Sequence, residues 1–316
     1  METNFSHLTF SSVSEVMFRD HEDYVRGIND LVLASMKAEA VILAYSLMSN
    51  HVHCCIQMRG NPYGLFRTFR ISYGRYFSAN YRRKGYICSK DDVSIVEIDG
   101  YQHCLTAISY CLRNPLHQGV TSSCLNYAYS SALAYFREGL GIGPFPVTLK
   151  VCPRRLAPAN FPKPASLRFE EDGRASLDTS VDYKQVEMLF QTHNEFIYNM
   201  VIRRSGKKWR EQQSLEPGSP VTLELLESHH YMVEELEKNE RRNMKVSDTS
   251  DIFLCEVIDN ELLPMYDVKS VYQLSMHQQL SIGHCLSAKY SSSLTQIGRC
   301  LAVTDNDFYR LFYVRH

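Results

Sequence analysis

The sequence predicts an α+β fold, and three observations carry that expectation. Short apolar or β-branched runs of strand length occur at residues 7–11, 41–47, 51–58 and 93–98, and stretches with apolar residues at helical spacing stand between and after them. The resulting order is β-α-β-β-α-β-α, which suggests one antiparallel or mixed sheet with helices packed on one face.

Each element has a local reason. His7 to Ser11 is the first strand, and Glu22 to Met36 spaces Tyr24, Ile28, Leu31, Val32 and Met36 at helical intervals. Val41 to Leu47 and His51 to Met58 are separated only by Met48, Ser49 and Asn50, so strand, hairpin turn and strand is the natural reading. A second amphipathic helix runs from Tyr63 to about Lys84, and Val93 to Ile98 alternates as a strand. Tyr101 to Arg113 has helical spacing, ended by Asn114 and Pro115. A layer built in this order is ferredoxin-like.

With 316 residues, 44% apolar and 22% charged, the chain can bury an ordinary core and is expected to divide in two. Six of the eleven prolines fall between Pro144 and Pro164, just after Gly139, Gly141 and Gly143. A boundary is expected there: a first domain over residues 1–136, a connector over 137–170, and a mainly helical region over 171–316. From Glu211 to Glu261 there are thirteen acidic and four basic residues, with helical patterning around Leu223 to Glu237, expected as a solvated acidic helix. Val271 to Tyr290 and Ser293 to Phe312 read as further short helices.

The charge balance, 34 basic against 35 acidic residues, excludes a polybasic or polyacidic protein, so any nucleic-acid surface must be local. No apolar run approaches the roughly eighteen residues of a membrane span. The first ten residues lack the basic start and apolar core of a secretory signal, which makes the cytoplasm the expected compartment. Ten cysteines without a C-x-x-C pair are expected as reduced, mostly buried thiols.

The chemistry concentrates in two places. His51 and His53 are two apart on an expected strand, so both imidazoles point to one face and Val52 to the other. A pair of satisfied histidines in a sheet is the ordinary alternative. Tyr110 and Asn114 are four apart on an expected helix and so share a face one turn apart. A metal held by two imidazoles needs a further oxygen ligand and open positions to act as a Lewis acid; Asn114 can supply that oxygen and also cap the helix before Pro115. Tyr110 would sit close enough to attack a group at the same ion, or be a half-buried aromatic.

Three motifs now stand in order: Met48-Ser-Asn-His-Val-His53, Tyr110-Cys-Leu-Arg-Asn-Pro-Leu-His-Gln-Gly119 and Tyr127-Ala-Tyr-Ser-Ser131. Together they resemble the single-tyrosine HUH transposases, most closely the REP-associated tyrosine transposase branch of the IS200-like enzymes, over about residues 5–136. The resemblance implies metal-binding roles for His51, His53 and Asn114 and a nucleophilic role for Tyr110. It implies Mg²⁺ or Mn²⁺, a 5′-phosphotyrosyl intermediate with a free 3′-hydroxyl, and single-stranded or hairpin DNA as partner. The family often has Pro where Ser49 stands, and residues 85–92 lack its usual aromatic, glutamine and arginine pattern. Imidazole ligands favour Mn²⁺ or a later transition metal over Mg²⁺, although Mg²⁺ is expected in cells.

Two stretches could read DNA. Arg67, Arg70, Arg75, Arg82, Arg83, Lys84 and Lys90 lie in a segment free of acidic residues, interleaved with Tyr73, Tyr76, Phe77, Tyr81 and Tyr86. Basic residues beside aromatics suit single strands and hairpin ends, although a solvated helix face with core aromatics has the same composition. Residues 293–312 are similar to a helix-turn-helix and to the terminal DNA-binding domain of the chromosomal replication initiator. There Thr304 or Asp305 caps the second helix, with Asn306, Tyr309 and Arg310 as candidates for groove contacts. This admits duplex DNA at the C-terminal region; a homodimer is also admitted, and no membrane partner is expected. Arg203, Arg204, Lys207, Lys208, Trp209 and Arg210 form a further basic cluster, read as a solvated loop. His103 and His117 flank the tyrosine helix without a spacing that compels acid or base work. The rival readings are another HUH nickase, a replication initiator or relaxase, and a non-catalytic DNA-binding regulator with a vestigial metal site.

Overall fold

In the computed structural model, residues 3–12, 14–149, 151–157, 166–202, 221–227, 249–303 and 305–312 are described. The elements that build the candidate site are β1 (Asn4–Ser11), α1 (His21–Lys37), β2 (Val41–Leu47), β3 (His51–Met58), α2 (Tyr63–Tyr81), β4 (Val93–Ile98) and α3 (Tyr101–His117). The fold is α+β. Its four-stranded sheet has the order β2-β3-β1-β4, with every neighbouring pair antiparallel.

Boundaries follow local chemistry. Asp20 caps α1 by accepting the Asp23 backbone N–H, and α2 ends where Arg82 takes a left-handed conformation. β1 begins at Asn4 because its first residues pair with Met58 and Gln57, a cross-strand gain that local periodicity does not show. Helix α3 does not end at Asn114. Pro115 lies inside it and the helix runs to His117, with the Gln118 N–H closing on the Asn114 carbonyl at 2.9 Å. A proline removes one backbone donor, and tertiary packing of the last turn outweighs that loss. Asn114 is therefore not a helix cap.

The helices cover both faces of the sheet rather than one. Phe10 of β1 packs on Phe66 and Phe69 of α2, with ring centroids 5.3 and 4.8 Å apart, while His53 on the opposite face meets Tyr110 of α3. With both faces covered, the central strands are buried nearly throughout, so their sequences cannot show a clean polar and apolar alternation.

The expected boundary near residue 136 does not separate two cores. The apolar core around the sheet continues through Cys152, Leu156, Phe169, Phe190 and Phe196 to Leu226. One reason is Asn29 in the middle of α1. Its buried amide donates to the carbonyls of Leu156 and Gly173 at 2.6 and 2.9 Å and accepts the Ala175 N–H at 2.7 Å, stitching the Pro-rich stretch onto the helix. The helix at Leu223–Glu227 buries Leu226, so it is not simply solvated; residues 228–237 lie outside the described residues. A second core gathers Leu254, Ile258, Leu263, Val271, Ile282, Leu286, Ile297, Leu301 and Phe308, with Val16 reaching in from the N-terminal part. Its helices include Asp251–Val257, Met276–Tyr290, Leu294–Cys300 and Asn306–Leu311. All ten cysteines are free thiols, eight of them buried. Among the described residues no helix is long and apolar enough to cross a membrane.

Phe10 is fully buried between two aromatic partners. Phe10→Ala should therefore cost about 3–5 kcal/mol, read as a lower urea midpoint with an unchanged slope.

Candidate active site

Strand alternation puts His51 and His53 on one face of β3 and Val52 on the other. The β1–β3 register sets Thr9 opposite His53, with His7 two residues along on the same face. Helix α3 lies across that face and brings Tyr110 and Asn114 over the imidazoles. The Asn114 amide bridges them: its Oδ1 is 3.0 Å from His51 Nε2, and its Nδ2 is 2.9 Å from His53 Nε2. The Tyr110 ring stands edge-on to His53, with centroids 5.3 Å apart and planes at 89°. His51, His53, Asn114 and Tyr110 are each 5% exposed or less. Every residue that the sequence assigned to metal binding or attack is therefore in one buried cluster.

Burial lowers the imidazoles of His7 to about 3 and His51 to about 4, and takes His53 well below its ordinary value, with His51 and His7 adding to the effect. All three are neutral at physiological pH, the form in which imidazole binds metal. A neutral imidazole carries one N–H. His51, however, faces two amide oxygens, Asn50 Oδ1 at 2.8 Å from Nδ1 and Asn114 Oδ1 at 3.0 Å from Nε2. It can serve only one of them. With the Nδ1–H given to Asn50, a divalent cation facing His51 Nε2, His53 Nε2 and Asn114 Oδ1 would satisfy the remaining lone pairs. On His53 the Nδ1 side already has partners, Thr9 Oγ1 at 3.0 Å and His7 Nε2 at 3.2 Å, which leaves Nε2 to point at the amide. The donor set thus fits a small cation. Among the described residues no group of three or more His, Cys, Asp or Glu side chains is placed to hold a metal, so the third protein ligand would have to be the amide.

Sequence reasoning missed His7, Thr9 and Asn50. His7 and Thr9 repeat on β1 the two-residue spacing of the H-x-H strand, but only the β1–β3 register shows that the two pairs share a face. His103 turns its Nδ1 to the Asp99 carbonyl, and His117 lies exposed at the end of α3. The Tyr127–Ser131 motif holds the neighbouring strand: Tyr127 donates its hydroxyl to the Leu47 carbonyl at 2.7 Å, and Ser131 Oγ accepts the Tyr45 N–H at 3.0 Å.

The basic segment is only partly brought together. Arg67, Arg75, Arg82, Lys84 and Lys90 are exposed. Arg83 is turned onto the Glu15 carboxylate, with Nε at 2.9 and 3.0 Å, and the Arg70 guanidinium lies 4.3 Å from the centre of the Tyr86 ring. Tyr73 and Phe77 are core residues, and Tyr76 and Tyr81 donate their hydroxyls to Asp23 at 3.0 and 2.8 Å. The Tyr76 hydroxyl thus faces inward, while its ring is half-buried. Helix α2 also lies across the sheet from α3, so this segment does not line the cluster at Tyr110. In the C-terminal part Asp305 caps the last helix; Asn306 and Arg310 are exposed, and Tyr309 is half-buried against Phe308. Thr304 and the basic cluster at 203–210 lie outside the described residues.

Asp23 gives a test of the interface between α1 and α2. Burial, aided by the Asp20 charge, pushes its carboxyl up to about 7 against hydrogen bonds from the Arg19 N–H, Tyr81 and Tyr76 that favour the charged form. The folded state then holds a proton that the unfolded chain, at 3.8, gives up. The stability tied to this group is full below the unfolded value and is lost as pH rises through about 7. Asp23→Asn does not titrate, so wild-type stability relative to this variant should fall from about pH 4 to about pH 7 and level off above that in paired urea titrations.

No protein-family model and no curated protein matches the chain. Among solved structures, a REP-associated tyrosine transposase bound to a REP hairpin is similar over 45% of this chain and 82% of that chain, at 12% identity and a TM-score of 0.38. A likeness of that size carries no weight for the function of this chain, which is read from its own residues.

Proposed function

We propose that the chain is a single-tyrosine DNA strand transferase of the HUH type, cleaving single-stranded or hairpin DNA through Tyr110. The observation that carries the reading is the convergence of His51, His53, Asn114 and Tyr110 from two elements far apart in sequence. The antiparallel order β2-β3-β1-β4 with its intervening helices supports the ferredoxin-like layer on which this chemistry is expected.

His51, His53 and Asn114 would hold Mg²⁺ or Mn²⁺, and when bound the ion draws charge from the non-bridging oxygens of the scissile phosphate. The Tyr110 oxygen attacks phosphorus and gives up its proton. The bond from phosphorus to the 3′-oxygen breaks, and that oxygen leaves as a 3′-hydroxyl after taking a proton. One phosphodiester is exchanged for another, so no nucleotide cofactor is needed and a 3′-hydroxyl can reverse the step. Neutral, buried His51 and His53 keep their lone pairs available, while His7 and Thr9 on the Nδ1 side of His53 hold its ring in place.

The pair of short helices Leu294–Cys300 and Asn306–Leu311, joined through Ala302 in a left-handed conformation, supports a helix-turn-helix reader of duplex DNA. Asn306 and Arg310 are its exposed candidates for groove contact. The burial of all four site groups favours a second reading, a non-catalytic DNA-binding regulator.

Wild-type protein incubated with Mn²⁺ and a hairpin oligonucleotide should form a covalent adduct on a denaturing gel, and Tyr110→Phe should form none. His51→Ala and chelation by EDTA should each abolish it. Wild-type binding without adduct at any metal concentration would leave the regulator. For the exposed basic residues, Arg82→Glu should weaken single-strand binding and lower the salt slope by about 1. Arg83→Glu should instead act through stability, because it strands Glu15.

A further inference from the structure

The turn that delivers His51 is gripped from two sides. On one side the Ser49 carbonyl accepts the N–H groups of Met17 and Phe18 at 2.7 and 3.0 Å, and the Asn50 carbonyl accepts the Ser12 N–H at 2.8 Å. On the other side the Ser49 hydroxyl donates to Asp251 Oδ2 at 2.6 Å, a contact across 202 residues. Asp251 is nearly buried at the start of the helix Asp251–Val257. It is itself held by a two-pronged bond from Arg299, Nε to Oδ2 at 2.8 Å and Nη2 to Oδ1 at 2.9 Å, and by Gln296 Nε2 on Oδ1 at 3.1 Å. Burial by itself would raise this carboxyl, but the Arg299 charge and the hydrogen bonds from Arg299, Ser49 and Gln296 hold it below the ordinary carboxylate value, so it stays a charged acceptor.

A second, partly buried pair also joins the two cores. Arg19 meets Asp259 through Nε at 2.9 Å and Nη2 at 2.8 Å. Holding the two cores together is therefore not a task that needs Asp251 to touch the hairpin. The Asp251 pair differs in where it ends, on the residue next to Asn50, whose Oδ1 is 2.8 Å from His51 Nδ1.

We propose that Asp251, seated by Arg299, is a positioning residue for the candidate site: through Ser49 it fixes the turn so that Asn50 holds His51 as the Nδ1–H form, with the Nε2 lone pair turned to Asn114 and His53. This rests on the reading of the cluster as a metal-dependent strand-transfer site and names the group that sets one of its ligands. It ties the helices Asp251–Val257 and Leu294–Cys300 to the geometry of a histidine in the sheet. Outer hydrogen bonds to a ligand imidazole typically change metal affinity or activity by about 10–100-fold.

The experiment uses full-length protein labelled with ¹⁵N in histidine, with two readouts: the ¹⁵N tautomer signature of His51 without metal, and Mn²⁺ affinity by electron paramagnetic resonance. Ser49→Ala and Asp251→Asn should each reduce the Nδ1–H form and weaken Mn²⁺ binding by about 10-fold or more. The double variant should be no worse than Asp251→Asn alone, and Ser49→Thr, which keeps the hydroxyl, should behave as wild type. Asp259→Asn breaks the other pair and should lower the melting temperature while leaving both readouts unchanged. Asp251→Asn strands Arg299 and can unfold the protein, in which case Ser49→Ala against Ser49→Thr decides. A wild-type tautomer and wild-type affinity in Ser49→Ala overturns the proposal, as does an equal shift in Asp259→Asn. If wild type neither binds Mn²⁺ nor forms a Tyr110 adduct, the reading of the site fails, and the tautomer comparison alone still decides whether Asp251 positions His51.

Discussion

The amide of Asn114 between the imidazoles of His51 and His53 is the contact on which the site depends. It joins α3 to the central strands at the point where the helix crosses the sheet, and it is fully buried. The amide donates through Nδ2 to the neutral His53 ring, and its oxygen faces Nε2 of His51. The same oxygen is the one that the proposed function assigns to the ion. One side chain thus joins the two imidazoles of the strand to the tyrosine helix.

Around that point the protein builds outward in layers of buried polar contacts. His7 and Thr9 support His53, Asn50 supports His51, and Ser49 passes the hairpin to Asp251 and Arg299. Arg19 with Asp259 and Glu15 with Tyr272 fasten the N-terminal loop to the part beyond residue 250, and Arg83 ties the same Glu15 to the end of α2. Buried charges are costly to bring together and more costly to leave unpaired, so such contacts fix a particular arrangement of parts more than they add stability. Apolar packing of two separate cores supplies the bulk of the driving force.

Local pattern carried the early elements well because the hairpin and the amphipathic helices are written in short-range spacing. β2 and β3 lie where their apolar runs lie, and α1 departs from expectation by one residue at each end. Errors arose where a long-range contact outweighed the local signal. Pro115 reads as a terminator and sits inside a helix; proline-rich residues read as a boundary, yet their neighbours pack on α1 through Asn29. The Tyr76 hydroxyl and the Arg83 guanidinium, both in the basic segment, meet Asp23 and Glu15, partners that composition does not reveal because it does not show which face of a helix turns inward. His7 carried the same information as His53 but lacked a partner in its own segment to mark it.

By itself the sequence determined the α+β class, the hairpin that sets two imidazoles on one face, and the helical spacing that sets a phenol and an amide one turn apart. Those follow from the two-residue repeat of a strand and the 3.6-residue repeat of a helix, which are properties of neighbouring residues. Only the tertiary structure decided that these two pairs meet, that His7 and Thr9 join them, and that a carboxylate 202 residues beyond Ser49 holds the hairpin. Register and packing between distant elements depend on the summed burial of many side chains, and no short stretch of chain contains that sum.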